Sequence, residues 1–388
     1  MGYRKFTADH LFTGNGLLDN QVLVTDEKGR IEAILPAGEA GEDVQAFRGI
    51  LSPGFINAHC HLELSHLKGI IPPHTGMINF LLTVMSRRFV PEQQVMQAIA
   101  DAETAMFQNG IVAVGDICNT ADTLPQKQHQ RLYYHNFIEA TGFVPATAGD
   151  RFHKALTIWE QFSEAAGPGA KNNSMVPHAP YSVSRPLFQL ITDFAEDDLF
   201  TMHNQESREE EEFFRTGTGG FNRLYEALGL DISFYKPDGK SSLQTCLGRF
   251  HAGESIILVH NVMTSEEDLQ FIQRRQALLP DCHFCLCPNA NLYIGNGLPD
   301  IDLLRRYEVA IVMGTDSLAS NHQLSILAEL KTLQQHYPAI PLEEGLQWAT
   351  LNGAKALNIQ DRFGSFEKGK TPGVLLLEHD LSGVQRLL

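Results

Sequence analysis

From residue 51 onward, apolar runs of four to seven residues alternate with stretches of helical period. The runs are LSPGFINAH, GIVAVGDIC, RLYYHNFIEATG, SMVPHAP, LFTMHNQE, ESIILVHNV, HFCLCPNAN and VAIVMGTDS. Short continuous apolar runs bounded by turn residues read as strands buried on both faces. Helix-like segments follow at 91–109, 185–196, 265–276 and 322–336. Eight buried strands alternating with helices predict an α/β fold, a (β/α)8 TIM barrel. A doubly wound open sheet is the alternative, but it often carries a Gly-rich phosphate loop, and none is found here. The first fifty residues have a different texture: QVLVTDEKG and RIEAILPAG alternate with Asp/Gly turns. The tail, FGSFEKGKTPGVLLLEHDL, returns to it. A small β-sandwich built from 1–52 plus 358–388 is therefore expected, interrupted by a barrel at 53–357.

In a barrel, chemistry sits where strands open at their C-terminal ends. His59 and His61 end the first run, His178 the fourth, His203 and Glu206 the fifth, His260 the sixth and Asp316 the eighth. One histidine is usually a satisfied polar group; this many reactive residues at five strand ends are hard to obtain by accident. Side chains alternate along a strand, so His59 and His61 point to one side and can reach one ion. His203 adds a third imidazole and Asp316 a carboxylate, leaving an open position of the kind a catalytic site needs. This donor set suits zinc, with ferrous iron as the alternative, better than magnesium or calcium. Such an ion lowers the pKa of water to about 7. Glu206, three residues after His203, is placed as a general acid/base, and His260 to hydrogen-bond the attacking water. Asp316 could take that water's proton and hand it to the leaving group.

Composition narrows the partners. The chain has 388 residues, 43% hydrophobic and 20% charged, as a globular protein does. A net charge of −16 argues against a nucleic-acid partner. No apolar leader or membrane-length stretch is evident, so a cytoplasmic location is expected. Cys282, Cys285 and Cys287 suggest a zinc knuckle, yet no second pair completes it, and packed core cysteines are expected. The acidic run Glu209–Glu212 reads as a solvated helix face.

PGFINAHCHLELS, HAPYSVS, HNQES, LVHNV, CPNANLYIG, MGTDSLASN, ATLNGAKAL and GSFEKGK, in this order, resemble the amidohydrolase superfamily, in its branch of aromatic-base deaminases and chlorohydrolases. The resemblance implies His59, His61, His203 and Asp316 on the metal, Glu206 and His260 in catalysis, and His178 against the substrate. Binuclear members carry a carboxylated lysine at the end of strand four. Here NSMVPHAP has none after Lys171, which implies one metal. The implied reaction replaces an exocyclic amino group by oxygen, Glu206 protonating the neighbouring ring nitrogen and ammonia leaving. HLELS and HNQESREEEEFFRTGTGGF are similar to the 6-aminodeoxyfutalosine deaminases, while guanine, pterin and S-adenosylhomocysteine/methylthioadenosine deaminases share the core. Hydrolysis of a cyclic amide or triazine stays open, as does a homo-oligomer. A benzoate-bearing nucleoside would need a cation, with Arg87, Arg88 and Arg151 as candidates. A metal-binding scaffold without activity would have no use for Glu206 and an open metal position. The family's Ala-Asp pair near the tail is replaced by Thr371-Pro372-Gly373, which bears on the shape of the small β domain.

Overall fold

The computed structural model describes residues 2–167, 172–194, 199–275 and 281–388. The eight runs hold eight strands: β1 (Phe55–Cys60), β2 (Ile111–Cys118), β3 (Tyr133–Ala140), β4 (Asn173–Pro177), β5 (Leu199–Asn204), β6 (Ser255–His260), β7 (Cys282–Leu286) and β8 (Ala310–Met313). All pair in parallel, in two four-stranded sheets ordered β4-β3-β2-β1 and β5-β6-β7-β8. Every residue of β1, β2, β4's Asn173–Pro177 span and β5 is buried, which explains why the runs are apolar without alternation. Backbone hydrogen bonds link the sheets at both edges. Thr315 N and Asp316 N, just past β8, donate to the His59 carbonyl of β1 at 3.0 and 3.1 Å. His203 N of β5 donates to the His178 carbonyl just past β4 at 2.9 Å.

Helices fall where the period indicated: Glu92–Gln108, Arg185–Phe194, Glu266–Gln273 and Ile326–His336. The expected helix limits 195–196 and 276 lie outside the described residues. The first run is two strands rather than one. Ile50–Ser52 belongs to another sheet, and Pro53-Gly54 separates it from β1, because proline has no N–H to give a ladder. That other sheet is ordered Val384–Arg386, Leu375–Leu377, Ile50–Ser52, His10–Phe12, Leu17–Leu18. Leu375–Leu377 pairs antiparallel with Ile50–Ser52, so the tail completes a sheet begun near the start. A fourth sheet, of Ile31–Pro36, Gln21–Asp26, Tyr3–Thr7 and Val44–Ala46, shares with it a core of Phe6, Leu11, Leu23, Ile31, Leu51, Phe366 and Val374.

The six cysteines are free; five are buried and Cys282 is partly so. Among the described residues none joins a metal-competent cluster. The acidic run departs from expectation. Glu212 is exposed and Glu209 partly so, but Glu210 and Glu211 are buried, on a helix (Arg208–Thr216) whose Phe213 and Phe214 pack inward. Among the described residues, no helix is long and apolar enough to cross a membrane.

Candidate metal centre and active site

β1 and the residue after it deliver two imidazoles to one point. The β1–β2 ladder slips between Asn57 and Cys60, the kind of irregularity that re-aims side chains beside active sites. Cys60 points away and is fully buried. Asn57 ties β1 to the residue before Asp316: its Nδ2 donates to Thr315 Oγ1 at 2.8 Å and its Oδ1 accepts from Thr315 N at 3.1 Å. On the other side of the pair, Leu62 N donates to Asp116 Oδ1 at 2.9 Å. The buried Lys127 Nζ compensates that carboxylate at 2.5 Å.

The result is convergence. His61 Nε2 lies 3.2 Å from both His59 Nε2 and His203 Nε2. Asp316 Oδ1 lies 3.6 Å from His59 Nε2 and 3.4 Å from His61 Nε2. All four residues are buried, with one donor atom from each inside 4.8 Å. His203 Nδ1 donates to the His178 carbonyl at 2.8 Å. That bond fixes the tautomer and turns the Nε2 lone pair toward the other rings. Burial pushes His61 and His203 well below the ordinary histidine range, so both are neutral ligand-type imidazoles. Burial works to raise the Asp316 carboxyl, but the facing His59, His61 and His260 rings prevail and hold it well below the usual carboxylate range. Three lone pairs and a carboxylate crowded together need a cation between them, and the donor set fits a zinc-type ion.

Beside this cluster, Glu206 is buried, and its carboxyl is pushed well above its ordinary value by burial, then by Asp316 and Glu210. That direction favours the protonated acid. Its Oε1 lies 3.7 Å from His260 Nε2 and accepts from Asn296 Nδ2 at 3.4 Å. His260 Nδ1 meets Asn291 Oδ1 at 2.8 Å, which assigns the ring proton to Nδ1 and leaves Nε2 an acceptor. Burial sets its pKa at about 4. The Ser320 hydroxyl donates to Asp316 Oδ2. Gln205, His260, Asn261 and Asp316 all have left-handed backbone, with φ between 48° and 76°. For residues other than glycine this is strained, and such residues gather at functional sites.

His178 shares a 2.6 Å hydrogen bond with Ser182 and, with His61, lines a cavity of about 300 Å³. Leu81, Val84, Met85, Phe143, Leu224 and Leu228 make its apolar wall. Arg88 and Arg151 also line it; Arg87 is exposed and does not. Arg88 is paired with Glu63 at 3.4 Å, whereas Arg151 has no ion-pair partner among the described residues. A larger concavity of about 690 Å³ lies around the opposite ends of β2 and β3 and includes none of the clustered residues.

Two further buried acids border the site, and one of them, Glu139, escaped the sequence reading. Glu139, at the end of β3, lies 3.7 Å from His203 Nδ1 and accepts from Asn119 Nδ2 at 2.9 Å. The signal was present, an acid closing the apolar run NFIEA, but it had no motif around it. Glu63, next to the HCH triplet, makes no side-chain hydrogen bond or ion pair to the four clustered residues in the described structure. It accepts from the backbone of Asn119 and Thr120, both at 2.9 Å, and so fixes the loop after β2. Burial pushes both carboxyls up to about 7.

The sequence profile of the Amidohydrolase family matches residues 50–385. The 5-methylthioadenosine/S-adenosylhomocysteine deaminase of Teredinibacter turnerae is 26% identical over 375 residues, 90% of this chain and 78% of that protein. The aminodeoxyfutalosine deaminase of Nitratiruptor sp. is 29% identical over 290 residues, 73% of this chain and 67% of that one. In fold, the chain is similar to the crystal structure of Helicobacter pylori aminofutalosine deaminase in complex with methylthio-coformycin. The TM-score is 0.83 at 23% identity, covering 97% of this chain and 92% of that chain.

Proposed function

The chain belongs to the amidohydrolase family, and on that premise we propose that it is a hydrolase of C–N bonds that deaminates an adenine nucleoside. The observation that carries the reading is the buried Glu206 carboxyl standing beside three converging imidazoles and Asp316. His59, His61, His203 and Asp316 would hold one divalent ion, zinc or ferrous iron. Bound there, the ion would supply activated water at neutral pH.

The chain's own groups then carry the protons. His178 and the apolar wall would orient the base so that its amino-bearing carbon turns toward His59, His61, His203 and Asp316. Glu206 gives its proton to the ring nitrogen beside that carbon. His260 Nε2, an acceptor, takes a hydrogen bond from the attacking water and fixes its approach. Asp316 takes one water proton and passes it to the amino group; the carbon gains its C–O bond and loses its C–N bond, ammonia leaves, and the second water proton returns to Glu206 as the oxo base forms. Scaffold and site agree if the two parallel sheets form one closed (β/α)8 barrel over 53–357. The terminal sheets, 1–52 plus 358–388, would be the β-sandwich beside it.

The substrate we favour is 6-aminodeoxyfutalosine, in a cytoplasmic route to menaquinone. Its aryl group suits the apolar wall, and its carboxylate suits Arg151, which has no ion-pair partner among the described residues. A 5-methylthioadenosine/S-adenosylhomocysteine deaminase is the second reading, because a thioether would also fill a wall of leucines and a methionine. Ammonia release from adenosine, methylthioadenosine, S-adenosylhomocysteine, aminodeoxyfutalosine, guanine and a pterin separates them. Aminodeoxyfutalosine should be fastest. Glu206→Gln should lose roughly 10²–10⁴-fold in turnover while keeping its ion. Full activity in that variant would remove Glu206 from the role. An ion-loaded protein inert on the whole panel would overturn the deaminase reading.

A further inference from the structure

The turn that presents Glu206 is held from behind by another acid. After β5 the chain bends through left-handed Gln205 (φ 48°), and the consecutive N–H groups of Gln205 and Glu206 point the same way. Successive backbone amides in such a turn form a concavity that ordinarily takes up an anion. Here the chain fills it itself. Glu210 Oε1 accepts from Gln205 N, and Glu210 Oε2 accepts from Glu206 N, each at 3.0 Å. Glu210 is fully buried and sits in the first turn of the helix Arg208–Thr216. Ser207 caps that helix by accepting from Glu210 N at 3.3 Å. The Gln205 side chain is pinned as well: its Nε2 donates to Glu211 Oε1 at 2.9 Å and Asp268 Oδ2 at 3.0 Å, and its Oε1 accepts from Thr264 at 2.8 Å.

We propose that Glu210 is a positioning residue for the reaction: its carboxylate clamps the Gln205–Glu206 backbone and so fixes where the Glu206 carboxyl meets the substrate. The arrangement explains why part of an acidic run is buried. A buried acid is costly unless hydrogen-bonded, and two bonds from main-chain amides offset part of that cost. It also explains how a left-handed glutamine persists beside the cluster, since such strain survives only where surroundings over-determine it. Glu210 touches neither the cavity nor the four clustered residues in any hydrogen bond or ion pair of the described structure. Its effect passes through Glu206. Misplacing a reacting group by about 1 Å can cost on the order of 10²-fold in rate, so a loosened clamp should appear in turnover.

This inference rests on the deaminase reading for its kinetic arm only. In Glu210→Gln, one of the two amides would face an NH2 group and lose its acceptor. The expected outcome is a kcat lowered roughly 10- to 100-fold, with KM within threefold and metal content unchanged. Residue-resolved hydrogen exchange on the metal-free proteins supplies the second arm. In the native chain the Gln205 and Glu206 amides should be as protected as those of β5, and in the variant they should exchange at least tenfold faster. A kcat within twofold of native would overturn the proposal, as would a KM rise or ion loss that matches the kcat loss. If the variant does not fold, native Gln205 and Glu206 amides that exchange like an open loop would overturn it, and protected ones support it. If the native protein releases ammonia from nothing, the deaminase reading fails while the exchange arm still tests the clamp.

Discussion

Asp316 and His260 reach the cluster on backbone that few residues other than glycine adopt, and sequence inspection cannot see this. What it can see is type and place. His59, His61, His203, Glu206, His260 and Asp316 were legible because each ends an apolar run, and the folded chain brings them together. Glu139 and Glu210 were not, because neither a lone acid closing an apolar run nor one acid within a run of four carries a mark of the partner it will meet. The arginines divide in the same way. Arg151 lines the cavity with no ion-pair partner among the described residues, so Arg151→Ala should raise KM for a carboxylate-bearing nucleoside at least tenfold and leave adenosine unchanged within twofold. Steady-state kinetics on the two substrates check it; equal losses on both would separate Arg151 from the carboxylate. Arg88→Ala is a poorer probe, since it also strips the buried Glu63 of its cation.

At the scale of elements, each of the eight runs holds a parallel strand, and the four helical stretches hold helices. Continuous apolar character is what burial on both faces imposes, so strand and core were readable together. The break at Pro53-Gly54 was harder, because pairing partners for Ile50–Ser52 lie in distant sequence. The acidic run was misread because charge alone does not tell a solvated face from one spent on capping backbone amides. Close strand packing gives a direct prediction. A Cβ on Gly115 of β2 would come within 2.5 Å of the Ala58 carbonyl and 2.9 Å of the Phe137 ring. Gly115→Ala should therefore cost about 1–3 kcal/mol as β1 and β3 are pushed off. Urea unfolding measures it; a midpoint equal to native would mean that the strands shift at no cost.

Across the whole molecule, buried titratable groups oppose one another. Burial lowers His135 to about 3 and His178, His260 and His283 to about 4. Their contribution is present above the unfolded value near 6.5 and is lost as pH falls toward 4. Burial raises Glu63, Glu139 and Glu210 to about 7 and Glu329 to about 8. Their contribution is present below the unfolded value near 4.5 and is lost as pH rises through 7 to 8. The metal-free protein should thus hold a level heat stability from about pH 4.5 to 6.5, where the two opposite slopes offset each other, and lose stability as pH rises from about 6.5 to 8. Thermal unfolding with chelator from pH 5 to 8.5 tests this; a midpoint still climbing at pH 8 would contradict it.

The strand pair Ile50–Ser52 and Leu375–Leu377 has a consequence in time. A ribosome extends the chain at about 5–20 residues per second, so Ile50–Ser52 emerges tens of seconds before its antiparallel partner exists. Through that interval one edge of a hydrophobic strand stands open while the residues of β1, separated from it only by Pro53 and Gly54, are free to pair. Exposed edges of this kind invite pairing with other chains. Slow translation or a missing tail should therefore show first as aggregation of nascent chains, before any defect appears at the histidine cluster.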